Sequence, residues 1–292
     1  MVFDDGTTSR LSENHYVMTT TTAYATEVMA HLEFASQTFW PHLDVRFVSS
    51  SDQWAQMSLA GPKARIILAR IVEDDISDAA IPFLGAKVVT LKGGLKARLF
   101  RISFSGELAY ELAVPAGYGE AVADAIMQAG REDGICAYGV EALNVLRIEK
   151  GFVTHAELEG RTTPDDLGYG KMMAMTKPDF IGKRLSTRFG LTAADRLQLV
   201  GLKPVETDKE FMAGAHLLKD GAAATLAGDQ GFVSSACYSP TLGHTIGLGL
   251  LKSGRERIGE KITVWDGLRG TEVAAEVCLP VFVDPQNTKQ HL

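Results

Sequence analysis

The sequence predicts an α+β fold followed by a small C-terminal β-barrel or jelly roll. Helical and strand patterns are interleaved up to about residue 190. Beyond that point glycine and β-branched residues dominate, and short strand patterns follow one another without a helix between them. We therefore expect two domains, at 1–190 and 191–292, in a chain that is long enough to bury a substantial core.

The first elements are predicted from apolar spacing and from prolines. Apolar residues recur at helical spacing over 22–39, after a threonine run that offers N-caps, so we expect a helix that ends before Pro41. An alternating stretch over 54–59 predicts a strand. A second helix then runs from Pro62 through Ile71, because a proline fits the first helical turn.

The middle of the chain continues the mixed pattern. Strands are predicted at 87–91 and 97–104, where alternate residues of the second strand share one face. Helices are predicted at about 119–129 and 139–150. The second of these ends at Gly151, since glycine is favoured directly after the last helical residue.

The C-terminal region predicts only strands. The dipeptide Asp266-Gly267 is typical of a turn between the last two of them. The predicted strands are 197–202, 230–237, 244–251, 261–265 and 271–279.

Composition excludes several classes of function. The net charge is −7 and no cluster of lysine and arginine would follow a phosphate backbone, so nucleic acid is not an expected partner. No apolar run approaches the roughly 20 residues that cross a bilayer, and the N-terminus lacks a basic and an apolar signal region. We expect a cytoplasmic protein without membrane contact. The three dispersed cysteines resemble buried thiols, and the scattered histidines do not indicate a structural metal site.

Nucleotide-binding motifs are absent from the sequence. It contains no Walker A loop, and no GxGxxG motif opens a helix after a strand. The glycine-rich stretch 243–249 lies among predicted strands with no helix after it. We therefore do not expect this region to bind a nucleotide.

Several ordered motifs together carry a resemblance that none carries alone. They are Asp4-Asp5-Gly6, FSGELAYE at 104–111, LRIEKG at 146–151, TPDDLG at 163–168, KPDFIGK at 177–183, SPTL at 239–242 and LPVFV at 279–283. In this order and spacing they resemble the glycine-cleavage T-protein family. The LRIEKG and KPDFIGK forms are similar to the version that is fused into the alpha subunit of heterotetrameric sarcosine oxidases. The resemblance covers nearly the whole chain.

The resemblance implies a one-carbon transfer that depends on tetrahydrofolate. In this reaction the methylene carbon of a sarcosine-derived iminium passes to tetrahydrofolate, giving glycine and 5,10-methylenetetrahydrofolate. Two other functions stay open: a free-standing aminomethyltransferase that works with a lipoyl carrier protein, and a folate-binding or assembly module without turnover. Dimethylglycine in place of sarcosine as the parent substrate also stays open.

The resemblance assigns roles to five residues. Asp4 matches the catalytic aspartate, which accepts a hydrogen bond or a proton at the folate amine. Glu111 matches the carboxylate that holds the pterin ring, because a carboxylate can accept a ring N–H and the adjacent amino group together. Phe104, Tyr110 and Arg147 fall at further folate-binding positions.

The sequence also departs from the family. Phe104 replaces a tyrosine, and Leu143-Asn144 replaces an Arg-Asp pair that contributes to folate binding. An internal ion pair between Arg147 and Glu149 is an alternative to a ligand contact of Arg147. The chain begins at the Asp-Asp motif, so the first region is expected to be N-terminally truncated relative to the family.

The implied cofactor of this region is tetrahydrofolate. FAD, FMN and NAD are expected only in the missing part of the parent enzyme or in its partner subunits. The expected partners are those other subunits and small-molecule folate. We also expect a homo-oligomer, because exposed strand edges favour self-association.

Overall fold

The computed structural model describes residues 1–158 and 160–292. They form two compact units. The barrel unit contains Met1–Phe3 and Val140–Pro285, and the sheet unit contains Asp4–Gly139 and Gln286–Leu292. Residues 140–190 belong to the barrel unit, together with the C-terminal strands. The sequence boundary predicted at residue 190 stays a prediction.

The sheet unit is built on a four-stranded antiparallel sheet and a separate two-stranded hairpin. Its strands are β1 (Thr8–Ser12), β2 (His15–Met18), β3 (Trp54–Ala60), β4 (Ala86–Thr90), β5 (Lys96–Phe100) and β6 (Ala109–Pro115). Its helices are α1 (Ala25–Phe39), α2 (Ala64–Leu68) and α3 (Gly119–Ala129). The larger sheet has the order β3-β6-β5-β4, while β1 pairs with β2. Short 3-10 turns lie at Thr22–Tyr24, Ser51–Gln53, Ala116–Tyr118, Arg131–Asp133 and Thr288–His291.

One face of the four-stranded sheet forms the hydrophobic core of this unit. Successive strand residues point to opposite faces, so alternate positions such as Leu59, Leu99 and Leu112 lie together on the core face. Leu68 of α2 and Ile126 of α3 pack onto the same cluster. Burial of each such side chain contributes roughly 1.5–3 kcal/mol to folding. Because α2 and α3 pack on the core face, they do not cover the opposite, outer face of the sheet.

The barrel unit contains a closed antiparallel barrel. Its strands are β7 (Leu197–Pro204), β8 (His216–Lys219), β9 (Asp229–Ser239), β10 (His244–Lys252), β11 (Lys261–Asp266) and β12 (Thr271–Cys278), in the order β10-β7-β12-β11-β8-β9. Its helices are α4 (Val140–Lys150), α5 (Lys183–Ser186) and α6 (Phe189–Thr192), with 3-10 turns at Gly170–Met172 and Gly254–Arg257. The barrel interior holds fully buried aliphatic side chains, among them Leu202, Leu217, Val233 and Ile262.

The end of α4 confirms the prediction made for Gly151. The N–H of Phe152 donates to the carbonyl of Arg147 at 2.9 Å, and the N–H of Gly151 donates to that of Ile148 at 3.0 Å. This pair of bonds requires a left-handed residue, and Gly151 has φ +73°. A Cβ at this position would lie 2.4 Å from the carbonyl oxygen of Pro280. Glycine is therefore needed both for the conformation and for the space.

The predicted fold class is confirmed, since helices and antiparallel sheets precede and accompany a closed barrel. The predicted helices near 22–39 and 139–150 and all five predicted barrel strands are present with small shifts of their ends. Several elements go beyond the predictions: the hairpin of β1 and β2, the strands β6 and β8, and the short helices α5 and α6.

Two element boundaries were predicted wrongly. The helix predicted through Ile71 ends at Leu68, because the N–H groups of Arg70 and Ile71 bond three residues back and tighten the chain into a turn. The strand predicted to Phe104 ends at Phe100. The hydroxyls of Ser103 and Ser105 accept hydrogen bonds from the N–H groups just after them, and this stabilises a loop.

The cysteines correct another expectation. Cys136 is exposed, so the prediction of a buried thiol is wrong there. Cys237 and Cys278 are half-buried, and burial raises the pKa of each thiol to about 11. At neutral pH both are therefore protonated and poor nucleophiles.

Candidate functional site

The outer face of the four-stranded sheet carries the most polar of the predicted site residues. In β6, Tyr110 and Leu112 lie on the core face, whereas Glu111 points the other way. Glu111 is aligned with Ser58 of β3 on one side and with Phe100 of β5 on the other. The side chains of all three therefore lie in one row across the outer face.

Glu111 is a half-buried carboxylate with a single donor among the described residues. Its Oε2 accepts a short hydrogen bond from Nε2 of Gln56 on the neighbouring strand. Burial raises the pKa of Glu111, and the bond from Gln56 opposes that shift. A carboxylate has about four lone-pair sites, so most of its acceptor capacity is open to a ligand.

Arg98 and Gln56, which the sequence did not single out, extend this face. The guanidinium of Arg98 lies over the Trp54 ring, with 3.7 Å between its Cζ atom and the ring centroid. Arg98 and Gln56 are both aligned with Ala113 of β6. The only signal in the sequence is the alternation of polar and apolar residues in β3 and β5, and it does not show that these two strands flank β6.

Tyr110 lies on the other side of the same strand. It is fully buried in the core, and its hydroxyl accepts a hydrogen bond from Nε of Arg65 at 2.8 Å. A residue next to Glu111 in a strand must point away from it. The structure therefore does not bring Tyr110 together with Glu111, and the ligand contact predicted for Tyr110 stays a prediction.

Phe104 lies in the loop between β5 and β6 and is 38% exposed. The loop turns at Gly106, which has φ +81° and donates its N–H to the Ser103 hydroxyl at 3.0 Å. Glu107, also in this loop, pairs with Lys289 at 2.7 Å. The ring of Phe104 thus has an accessible surface on an anchored loop, and its predicted folate contact stays a prediction.

Asp4 belongs to the same unit and is half-buried. Its Oδ2 accepts a hydrogen bond from the N–H of Thr21 at 3.1 Å. Beside it, Gly6 passes so close to the chain that a Cβ would lie 2.0 Å from the carbonyl oxygen of Thr19. The hairpin between these points contacts β4 through β1. Asp4 is thus held at the base of a hairpin that lies beside the sheet.

Arg147 lies in the barrel unit, near the end of α4. Its guanidinium is buried and donates to Asn144, to the Phe152 carbonyl, to Glu157 at 3.3 Å and to Ser235 at 2.7 Å. The predicted ion pair with Glu149 is wrong, because residues two apart do not face each other on a helix. Glu149 instead accepts a hydrogen bond from Ser239 at 2.5 Å.

The described residues hold neither a three-ligand metal group nor a membrane-spanning helix. Over residues 1–158 and 160–292, no group of three or more His, Cys, Asp or Glu side chains is arranged to hold a metal ion. Within the same residues, none of the helices combines the length and the apolar character that crossing a bilayer requires.

Comparisons with known proteins cover the whole chain. Residues 1–177 match the family described as the GCVT N-terminal domain, and residues 198–284 match the glycine cleavage T-protein C-terminal barrel domain. The chain is 61% identical over 292 residues to the sarcosine oxidase subunit alpha of Rhizobium meliloti (strain 1021), covering 100% of the chain and 30% of that protein. It is 42% identical to the corresponding subunit of Corynebacterium sp. (strain P-1), covering 99% of the chain and 30% of that protein.

A solved structure has the same fold. The glycine cleavage system aminomethyltransferase T from Bartonella henselae aligns with a TM-score of 0.76 at 23% identity, over 97% of this chain and 72% of that one. Together these matches confirm the resemblance predicted from the motifs. The chain spans about a third of the length of the sarcosine oxidase subunits that it matches.

Proposed function

The chain belongs to the glycine cleavage T-protein family, and from that premise we propose that it is the folate-binding, one-carbon-transfer region of a sarcosine oxidase alpha subunit. Its identity of 61% to such a subunit over the full chain supports sarcosine as the parent substrate. Tetrahydrofolate, when bound, supplies the amines that take the methylene group of the sarcosine-derived iminium and release glycine.

Glu111 carries the proposal. A pterin ring presents an N–H and an amino group side by side, and an ionised carboxylate accepts both. Glu111 is half-buried, is held by Gln56 and keeps acceptor capacity on the outer face of the sheet. These properties fit a pterin ring, because burial strengthens the hydrogen bonds made there and the bond from Gln56 limits rotation of the carboxylate.

Asp4 is proposed as the proton acceptor at the folate amine. Its carboxylate accepts a hydrogen bond from the Thr21 N–H, which restricts its orientation. A carboxylate in such a position can hold a proton that leaves a nucleophilic nitrogen. Phe104, with its exposed ring, is proposed to pack against the ligand. Ligand contacts of Tyr110 and Arg147 stay part of the proposal, although both side chains have internal partners.

The remainder of the parent enzyme is proposed to supply the redox chemistry. FAD, FMN and NAD would bind to the rest of the alpha subunit or to other subunits, which are then the partners of this region. We also propose a cytoplasmic location, self-association and a family boundary near residue 190. That residue lies between the two matched ranges.

Calorimetric titration with tetrahydrofolate under anaerobic conditions tests the folate site. We expect the wild-type chain to bind and Glu111→Ala to lose about tenfold to several-hundredfold in affinity, since hydrogen bonds to a charged group contribute about 1.5–3 kcal/mol each. The matched control Glu120→Ala removes an exposed acid from α3 in the same unit. No binding by the folded wild-type chain, or equal losses in both variants, would contradict the proposal.

Product analysis tests the role of Asp4. In an oxidase assembled with the Asp4→Asn subunit, flavin reduction by sarcosine should be unchanged while formaldehyde replaces methylenetetrahydrofolate as the one-carbon product. The control Asp5→Asn changes the neighbouring exposed acid. An unchanged yield of methylenetetrahydrofolate from the Asp4→Asn enzyme would show that Asp4 is not the proton acceptor.

A further inference from the structure

Arg98 differs from the other arginines that are withdrawn from solvent. Arg65 and Arg101 both pair with Asp78, Arg147 pairs with Glu157, and Arg196 pairs with Asp166. Arg98 is half-buried on β5, and burial lowers the pKa of its guanidinium. In the part of the chain that the structure describes, no hydrogen-bond acceptor or carboxylate contacts this guanidinium.

Partial burial of the Arg98 guanidinium lowers the stability of the fold, unless a ligand supplies a hydrogen-bond acceptor. A guanidinium has five N–H donors, and partial burial removes some of the water that would otherwise accept hydrogen bonds from those of Arg98. The stack on Trp54 offsets part of this cost and fixes the plane of the guanidinium, with 3.7 Å between Cζ and the ring centroid. The N–H groups at the edge of the plane stay available to an oxygen acceptor of a ligand.

The register of the sheet brings this donor close to Glu111. Arg98 is aligned with Ala113 of β6, and Glu111 lies two residues before Ala113 on the same face. Diagonal neighbours of this kind are about 7–8 Å apart. Gln56, which is also aligned with Ala113, orients the Glu111 carboxylate. The outer face thus presents a fixed acceptor and a fixed donor within the span of one heterocycle.

We propose that Arg98 and Glu111 together recognise the amide edge of the pterin ring. Glu111 accepts the ring N–H and the amino group beside it, and Arg98 donates to the ring carbonyl oxygen on the other side of that N–H. This inference rests on the proposed function, which assigns the pterin ring to Glu111. The glutamate tail of folate lies at the far end of the ligand, so a diagonal neighbour of Glu111 meets the ring and not the tail.

Two ligands that differ at the ring oxygen and in the hydrogen on the adjacent ring nitrogen test this proposal. Tetrahydrofolate has a carbonyl at that position, while its 4-amino analogue, tetrahydroaminopterin, has a donor there and an identical tail. Dissociation constants of both ligands would be measured by anaerobic calorimetry for the wild type and for Arg98→Gln. Glu111 is the same in the wild type and in Arg98→Gln, so the change in preference between these two proteins reports on Arg98 alone. We expect the preference for the carbonyl ligand to fall about tenfold or more in Arg98→Gln, the loss typical of one charged hydrogen bond.

Two further variants control the test. Lys96→Gln removes a positive charge from the same strand and the same face, and it should keep the wild-type preference. Arg98→Lys keeps the charge but not the planar donor edge, so its preference should also fall. Because Arg98→Gln removes a desolvated cation, we expect it to fold, and a thermal melt followed by circular dichroism verifies this for each variant.

The outcomes separate this inference from the proposed function. Equal weakening of both ligands by Arg98→Gln would overturn the inference, because Arg98 would then contact a part that the ligands share. Unchanged affinities for both ligands in Arg98→Gln would overturn the inference as well. If binding of tetrahydrofolate still depends on Glu111 in either case, the proposed function stands. Absence of tetrahydrofolate binding in the wild type would overturn both.

Discussion

Two carboxylates, Glu157 in the barrel unit and Glu111 in the sheet unit, differ in how many hydrogen bonds they accept from their own unit. Glu157 is fully buried and accepts hydrogen bonds from Arg147, from Ser234 and Ser235 at 2.6 and 2.7 Å, and from Thr154. Glu111 is half-buried and has Gln56 as its one donor among the described residues.

This difference separates a structural role from a binding role. The acceptor sites of Glu157 are occupied from within its own unit, so it stabilises the junction of α4 with β9 and has little capacity for a ligand. Glu111 and Arg98 leave acceptor and donor groups unused on an outer face, at a cost to stability that a ligand would offset. Buried charges are therefore informative when their internal partners are counted.

Loss of the Glu157 carboxylate should produce the largest effect on stability. Glu157→Ala leaves the guanidinium of Arg147 buried without its counter-charge, and we expect the free energy of unfolding to fall by about 3–5 kcal/mol. Urea unfolding followed by circular dichroism measures it. The control Glu276→Ala breaks the exposed pair with Lys203 and should cost less than about 1 kcal/mol. Similar losses in the two variants would remove the distinction drawn between the two regions.

The pH dependence of folate binding should produce the next largest effect. Burial raises the pKa of Glu111, and only the ionised carboxylate accepts two hydrogen bonds from the ring. As the pH falls through this raised pKa, affinity for tetrahydrofolate should decrease by the equivalent of about 1.5–3 kcal/mol. Calorimetry across a pH series gives the midpoint, which we expect above the ordinary range of a glutamate. A flat profile in this range would mean that Glu111 does not hold the ring.

Tyr110→Phe distinguishes the core face of β6 from its outer face. The substitution removes the hydroxyl that accepts the bond from Arg65, so we expect a loss of about 1 kcal/mol in the free energy of unfolding. Tetrahydrofolate affinity should be unchanged, because Tyr110 points away from Glu111. A clear loss of affinity in a stable variant would instead support the ligand contact that the family resemblance implies.

Glu111→Gln should produce the smallest change, and in the opposite direction. Because its folded-state pKa is raised, the contribution of Glu111 to stability is present at low pH and is lost as the pH rises through that pKa. At neutral pH the ionised group therefore costs stability. Replacing it with glutamine should raise the free energy of unfolding, by less than about 1 kcal/mol because solvent reaches the side chain. Parallel unfolding at pH 7 and pH 4 should show the gain at pH 7 only.

Much of the fold follows from local patterns in the sequence. The barrel strands alternate or run apolar between turn residues, and Asp266 begins the last turn by accepting the N–H groups of Leu268 and Arg269. The end of α4 at Gly151 is likewise a local requirement. The strand end predicted at Phe104 is wrong because side chains compete there with the strand hydrogen bonds. The hydroxyls of Ser103 and Ser105 accept backbone N–H groups, and β5 ends early.

By itself, the sequence determined the fold class, the family and the candidate acids Asp4 and Glu111, because spacing and motif order are properties of the chain. Only the tertiary structure decided the partners of the charged side chains. Glu157, and not Glu149, pairs with Arg147, and Ser235 joins them from 88 residues along the chain. The placement of Arg98 over Trp54 beside Glu111 depends on strand order and register. Such contacts join residues that are distant in sequence, and the local preferences of each segment carry no information about them.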